Sequence, residues 1–305
     1  MILVAGGELD FNLRVLVERL RRRRVPFAAA LFGPERAPRL TIDLDRDRLT
    51  LNGKRLAPGA CFMRHDVFMM QALRTAEAGA AALNWFAAIK GWELAHDAVR
   101  GFNKHARTAE SSKLANLARA RRHGLAVPRT LLTNDLAPAR RTLRGPAIVK
   151  PAAGGEYTAE LDTVRRDLRR RSPVAYFPRF VQPKLLRPEL RVYRIGDALF
   201  GFALTSPDLD YRARNRSRLK VARVPPQLAG PYVALCDELG LDFAAADFMR
   251  RPGGGHCFLE VNSQPMFAAF DAVAGGRLCD AIIDHLTGPG SAPARAAAGP
   301  WPKPP

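Results

Sequence analysis

Asp247, Glu260 and Asn262 are the residues of this chain whose types and spacing most readily do chemistry. They sit in two short apolar runs, Ala246-Asp247-Phe248 and Cys257-Phe258-Leu259-Glu260-Val261-Asn262. Between the runs lies Arg250-Arg251-Pro252-Gly253-Gly254-Gly255, a turn by composition, so the pair reads as a β-hairpin. Residues two apart on a strand share a face, which puts Glu260 and Asn262 together. With Asp247 on the other strand, three oxygen-bearing side chains converge. Oxygen-only ligands suit a hard cation such as magnesium, held jointly with phosphate oxygens rather than in a closed protein cage. Acids at strand edges are ordinarily solvated, but a Glu between Leu and Val on a half-buried strand needs a partner.

A second set of residues suits phosphate. Ile148-Val149-Lys150-Pro151 reads as a strand with a lysine among apolar neighbours, followed by the small-residue loop Ala152-Ala153-Gly154-Gly155-Glu156. Successive backbone N–H groups in such a loop can cradle phosphate, with Lys150 as the counter-charge. A glycine pair by itself is usually only a turn, and the P-loop pattern G-x-x-x-x-G-K-[ST] is missing. Arg64, His65 and Asp66 close another strand and could face a cleft. The charged connection Asp208–Arg216 reads as a substrate-facing loop.

The elements that must position these residues follow from pattern. Residues 1–33 read as strand, helix, strand, with Asp10 or Asn12 as helix cap. Gly6-Gly7 is not a dinucleotide fingerprint. Residues 39–56 alternate as paired strands, and Ala60–Asp66 follows as another. A helical region spans 71–107, packing through Leu73, Ala80, Leu83, Trp85, Phe86, Ile89 and Trp92. A helix from Lys113 to His123 buries Leu114, Leu117 and Ala118 and stops at Gly124, after which Leu125–Thr130 enters a strand. Two strands surround a Gly196-Asp197 turn, with Arg191, Tyr193 and Ile195 on one face and Val192 and Arg194 on the other; an exposed face is the ordinary home for such arginines. Helices are expected over 228–240 and 271–287, and the Pro/Ala/Gly stretch 288–305 as a disordered tail.

The totals narrow the class. The chain has 305 residues, 47% hydrophobic and 25% charged, enough for two or three small lobes with real cores. No apolar run reaches the length of a membrane span, and the N-terminus lacks the form of a secretory signal. Cys61, Cys236, Cys257 and Cys279 are scattered without metal spacing, as free thiols of a reducing cytoplasm are. The net charge is +19. It comes mostly from arginine in an Ala- and Pro-rich chain, without an aromatic-interleaved basic patch, so an acidic substrate is the expected partner and nucleic acid is not.

Taken in order, these pieces resemble the ATP-grasp superfamily, and within it the RimK-like carboxylate–amine ligases. The matching stretches are Ser112-Lys113-Leu114 through Val127-Pro128-Arg129-Thr130, Ile148–Pro151 with its glycine loop, Val181-Gln182, Glu189-Leu190-Arg191, Asp247, and Leu259–Asn262. They cover about residues 103–287. The N-terminal part also resembles the pre-ATP-grasp lobe of microviridin-type peptide maturases, through Phe62–Asp66, the Trp85/Trp92 helix and Leu132–Asp135. The resemblance implies an α/β fold of α+β lobes: a pre-ATP-grasp lobe over 1–102, then an ATP-grasp domain over 103–287 whose lobes, about 103–184 and 185–287, clasp ATP.

The resemblance also implies roles. Lys113 and Lys150 would meet the nucleotide phosphates under the Gly154-Gly155 loop. Gln182 would line the adenine pocket, with Lys184 and Glu189 also at the nucleotide. Asp247, Glu260 and Asn262 would hold magnesium, with manganese as its substitute. Arg191 would stabilise the transferred phosphoryl group or the substrate carboxylate, and Arg212 or Arg214 with Asn215 would grip substrate. Pro183 stands where RimK-like proteins commonly carry an acid that helps hold adenine. Ser263-Gln264-Pro265-Met266-Phe267 is closer to RimK-like ligases than to the maturases, which tend to carry Pro-x-Gly-Gln there.

The leading expectation is therefore an ATP- and magnesium-dependent ligase that activates a carboxylate as an acylphosphate and joins it to an amine of an amino acid, peptide or protein terminus. A maturase of a ribosomally made peptide, forming amide or ester crosslinks, is the alternative that the N-terminal lobe and the basic surplus support. A non-catalytic module that binds nucleotide or nucleic acid is the third, and the intact Asp247/Glu260/Asn262 set argues against it. Relatives that form dimers and tetramers make a homo-oligomer compatible with any of these.

Overall fold

The computed structural model describes residues 1–106, 113–143, 145–153, 157–169, 174–210 and 216–288. The chain opens with β1 (Ile2–Gly7), α1 (Phe11–Arg22) and β2 (Phe27–Phe32), followed by β3 (Leu40–Asp43), β4 (Arg48–Leu51), β5 (Lys54–Leu56) and β6 (Ala60–Met63). Then come α2 (Phe68–Leu73), α3 (Ala76–Ala95) and β7 (Arg100–Gly101). Strands β2-β1-β6-β7 form a parallel sheet, and β3-β4-β5 an antiparallel meander beside it. Helix α1 is set by its cap: the Asp10 carboxylate accepts the Asn12 N–H at 2.8 Å, and Arg19, Arg21 and Arg22 sit in the last turn, where cations suit the helix dipole.

The second part begins with α4 (Lys113–Arg122), β8 (Leu131–Thr133), α5 (Leu136–Thr142), β9 (Ala147–Pro151), β10 (Ala159–Glu160), α6 (Leu161–Arg169) and β11 (Arg179–Pro183). Its antiparallel sheet has the order β10-β9-β11-β8. Along β9 the pleat alternates: Ala147 and Val149 enter a core with Leu136, Leu143 and Leu161, which turns Ile148 and Lys150 to the opposite face.

The last part holds β12 (Leu186–Ile195), β13 (Ala198–Thr205), β14 (Arg218–Ala222), α7 (Pro226–Leu239), β15 (Phe243–Arg250), β16 (His256–Asn262), α8 (Ala268–Val273) and α9 (Arg277–Thr287). Its five-stranded antiparallel sheet runs β14-β13-β12-β15-β16. The β15–β16 hairpin is the expected one, and Gly253, Gly254 and Gly255 close it at φ +89°, +101° and +74°, conformations other residues rarely adopt. One face of the sheet packs on α7 through Val192, Ala246, Phe248, Tyr232 and Leu235. The N-terminal sheet shares another core with this part, joining Val4, Leu16 and Phe62 to Tyr193, Phe267 and Ile282.

Several local expectations change. The region 71–107 is the end of α2, then α3 and β7; Leu73, the last residue of α2, is exposed, and so are Ala80 and Leu83, because the buried side of α3 carries Ala78, Ala82, Ile89 and Trp92. Helix α4 buries Asn116, Leu117 and Ala120, leaving Leu114 and Ala118 exposed. Residues 125–130 form no strand, although the Ala126 carbonyl accepts the Phe258 N–H. The closing helix is broken into α8 and α9 where Gly275 and Gly276 take positive φ. Neither Arg191 nor Arg194 is exposed, since β12 is covered on both faces. The expected disordered tail falls, from residue 289 on, outside the described residues.

A buried polar latch ties the first lobe to the last. The Arg64 guanidinium donates to Asp10 at 2.6 Å and to the Pro265 carbonyl at 2.9 Å. Asn12 donates to Asp10, and its carbonyl oxygen accepts the Phe267 and Ala268 N–H groups at 2.6 and 2.8 Å. Asp10 is fully buried, so removal of Arg64 leaves a charge with no cationic partner in this latch. Arg64→Ala is expected to lower the unfolding free energy by about 3–5 kcal/mol in a urea titration. A change near zero would show that the latch does not hold the lobes.

Candidate active site

The two antiparallel sheets face one another across a cleft of about 780 Å³. Ile148, Lys150 and Gln182 line one wall, and Glu189, Arg191, Asp247, Glu260 and Asn262 the other. The second wall is a consequence of register. Arg191 on β12 stands opposite Asp247 on β15, and Asp247 stands opposite Glu260 on β16. Three charged residues therefore form one row across three neighbouring strands. Asn262, two residues beyond Glu260, lies in the next row opposite Ala245.

The row is charge-compensated. Arg191 grips Asp247 with two parallel hydrogen bonds, Nε to Oδ1 at 2.6 Å and Nη2 to Oδ2 at 2.7 Å. This two-pronged geometry is among the strong forms of ion pair. Lys113, from the start of α4, places Nζ 3.1 Å from Glu260 Oε2. Burial pushes the Glu260 carboxyl up, but Lys113 and Lys150 more than offset it and hold it below the usual range.

Beside this row stand groups that are not engaged. The Lys150 ammonium makes no hydrogen bond or ion pair among the described residues, and burial, the largest influence on it, draws its pKa down. The Glu189 carboxyl is buried without a hydrogen-bond partner among the described residues, and burial together with the Asp247 charge raises it to about 7. The Asn262 amide also makes no hydrogen bond among them. On the opposite wall, the Thr130 hydroxyl donates to the Pro128 carbonyl, so it must accept from Gln182 Nε2, at 2.9 Å. That fixes Gln182 Oε1 as a buried acceptor with no partner.

The residues named from sequence are thus distributed plainly. Lys113, Lys150, Gln182, Glu189, Arg191, Asp247, Glu260 and Asn262 all line the one cleft. Lys184 lies at its exposed rim, paired with Glu160 at 2.7 Å. Gly154, Gly155, Arg212, Arg214 and Asn215 fall outside the described residues. Sequence reasoning gave no role to Thr130, which orients Gln182, or to Asp210, whose carboxylate accepts the Thr158 N–H at 3.1 Å. It gave none to Arg187 either, which donates to the Asp208 and Leu209 carbonyls. The only signal for Asp210 was its place within the charged 208–216 connection, and Arg187 had none.

The donor set fits a hard cation. Asp247, Glu260 and Asn262 offer only carboxylate and amide ligands, and the Asn262 amide and the buried Glu189 carboxyl beside them have no hydrogen-bond partner among the described residues. Among the described residues no three His, Cys, Asp or Glu side chains group closely enough to hold a metal on their own. An ion here would complete its shell with phosphate oxygens and water. Magnesium is therefore matched by chemistry, and Asp247, Glu260 and Asn262 are the residues that could hold it.

Glu189 generates a pH prediction for the metal-free protein. Its folded pKa of about 7 exceeds the ordinary 4.5, so the folded form holds the extra proton between those values. Stability from this group is lost as pH rises through that window, by on the order of 3 kcal/mol. Glu189→Gln is expected to remove the loss, and its stability relative to wild type should rise between pH 5 and pH 8 in urea titrations with a metal chelator present. Parallel profiles for the two proteins would contradict the buried carboxyl.

No family model matches the sequence, and no curated protein matches it. Solved structures do. The ATP-grasp ligase PsnB in complex with a minimal precursor superimposes with a TM-score of 0.74 at 25% identity, over 93% of this chain and 98% of that one. PsnB with a phosphomimetic precursor variant, Mg and ADP gives 0.73 at 26% identity over the same shares. A RiPP-associated ATP-grasp ligase of Chryseobacterium gregarium, in complex with ADP and a leader and core peptide, gives 0.70 at 18% identity over 93% and 96%. These likenesses favour the peptide-ligase side of the sequence reading over its RimK-like side. Cleft, lobes and topology together identify the chain as a member of the ATP-grasp superfamily with the α/β ATP-grasp fold.

Proposed function

We propose that this protein is an ATP- and magnesium-dependent ligase that activates a carboxylate of a ribosomally made peptide and joins it to an amine or hydroxyl of the same peptide. The observation that carries the reading is the set of unengaged groups in one cleft: the Lys150 cation, the Glu189 and Asn262 oxygens, and the Gln182 acceptor. An anionic nucleotide with its metal is complementary to that set. Precursor complexes of PsnB support a peptide substrate, and the net charge of +19 supports an acidic one.

In this reading Lys150 and Lys113 neutralise the nucleotide phosphates, and Gln182 Oε1 accepts the exocyclic amino group of adenine. Bound magnesium would polarise the γ-phosphoryl group and reduce repulsion between it and the incoming carboxylate. A carboxylate oxygen attacks the γ-phosphorus, the bond to the β-phosphate oxygen breaks, and ADP leaves. Arg191 lies on the floor of this cleft, where its guanidinium offsets charge developing on the transferred group. The nucleophile then attacks the acyl carbon and gives up its proton. Phosphate departs with one oxygen from the original carboxylate. Arg212, Arg214 and Asn215 keep the substrate-gripping role that the sequence resemblance implies.

The lobes proposed for this work are 1–102, 103–184 and 185–287. No helix among the described residues is long and apolar enough to cross a membrane, and all four cysteines are buried free thiols, which supports placing the enzyme in the cytoplasm.

Calorimetry with Mg–AMPPNP tests the site. Lys150→Ala and Glu260→Gln should each weaken binding at least about tenfold, as expected on losing a charge-assisted contact to phosphate or metal. Wild-type affinity in both variants would sink the assignment. With a candidate precursor peptide added to wild type, ADP release from ATP should depend on the peptide.

A further inference from the structure

Gln264 has no part in the scheme above, yet it lines the same cleft, two residues past Asn262. The backbone N–H of His65, at the end of β6, donates to Gln264 Oε1 at 2.8 Å. Only the oxygen of the amide can accept an N–H, so this bond fixes which way the amide faces. Gln264 Nε2 then makes no hydrogen bond with any described residue. The backbone on its C-terminal side is held by the first lobe: Arg64 donates to the Pro265 carbonyl, and Asn12 accepts from the Phe267 and Ala268 N–H groups. Pro265 and Met266 make the adjoining wall apolar, which strengthens a hydrogen bond formed there.

We propose that the Gln264 side-chain amide binds the acyl oxygen of the substrate carboxylate, in an orientation set by the N-terminal lobe. The proposal rests on the ligase reading of the cleft. A neutral donor suits this oxygen throughout the reaction, because the oxygen is part of an anion in the carboxylate, neutral in the acylphosphate and anionic again in the tetrahedral intermediate. Gln264 is a substrate-recognition residue, and the first lobe acts through it as a wall of the substrate site.

The test uses N-acetylglutamic acid α-amide as probe, titrated into the full chain with Mg–AMPPNP bound. In protein labelled with nitrogen-15 at glutamine, the Gln264 Nε2 signals are those missing from Gln264→Glu, and they should shift saturably with the probe. Gln264→Glu keeps an oxygen for the His65 N–H, so its thermal unfolding should match wild type, but it replaces a donor with an anion. Its affinity for the probe should fall at least about tenfold, the cost of a lost hydrogen bond to a charged group. Its Mg–AMPPNP affinity should be unchanged. Equal probe affinity in the variant, a probe that binds without moving the Gln264 signals, or a wild type that binds Mg–AMPPNP but not the probe would each overturn the proposal. Failure of wild type to bind Mg–AMPPNP would overturn the ligase reading, and this proposal with it.

Discussion

The row Arg191–Asp247–Glu260, closed at its end by Lys113, is the arrangement on which the rest of the cleft depends. A site that brings two anions together needs cations, and a site that holds a metal needs anions. Placing both kinds in a low-dielectric cleft is costly unless they compensate one another. Register solves this by setting opposite charges on neighbouring strands. Arg191 is bound by two hydrogen bonds to Asp247, whereas Lys113 reaches Glu260 from a separate helix by a single contact. In the proposed ligase, the lysine is the partner more readily transferred to a phosphate, which would free Glu260 for a metal as the nucleotide arrives.

The surrounding fold keeps that row in place. β12 is the middle strand of its sheet, packed by α7 on one face and by the core shared with the first lobe on the other. Arg194, on the α7 face, is buried against Asp237 and the Val233 carbonyl. On the opposite face the polar latch of Asp10, Asn12 and Arg64 holds residues 265–268, the segment that leaves β16. The N-terminal lobe therefore fixes where the chain runs after Asn262, holding Gln264, Pro265 and Met266 where they line the cleft.

Much of this was legible in the sequence because it is local. The hairpin showed through its glycine turn and flanking apolar runs, and Glu260 and Asn262 shared a face by strand periodicity alone. Register was not legible: that Asp247 faces both Arg191 and Glu260 depends on pairing across a bulge after Asp247. Burial was misjudged where tertiary cover decides it, as for Arg191, and for Leu114, which is exposed on α4 although apolar. The break between α8 and α9 lay in view as Gly275-Gly276, but a continuous apolar periodicity hid it. The latch and the orientation of Gln264 join residues about two hundred or more positions apart, and no local pattern announces such contacts.

The central claim is that a carboxylate in this cleft takes the γ-phosphoryl group of ATP before the new bond forms. Transfer of oxygen-18 tests it most directly. With a precursor peptide whose side-chain carboxyls carry the label, turnover in ordinary water should yield inorganic phosphate bearing one labelled oxygen for each bond made. Phosphate free of label, with the peptide nevertheless joined, would contradict the account.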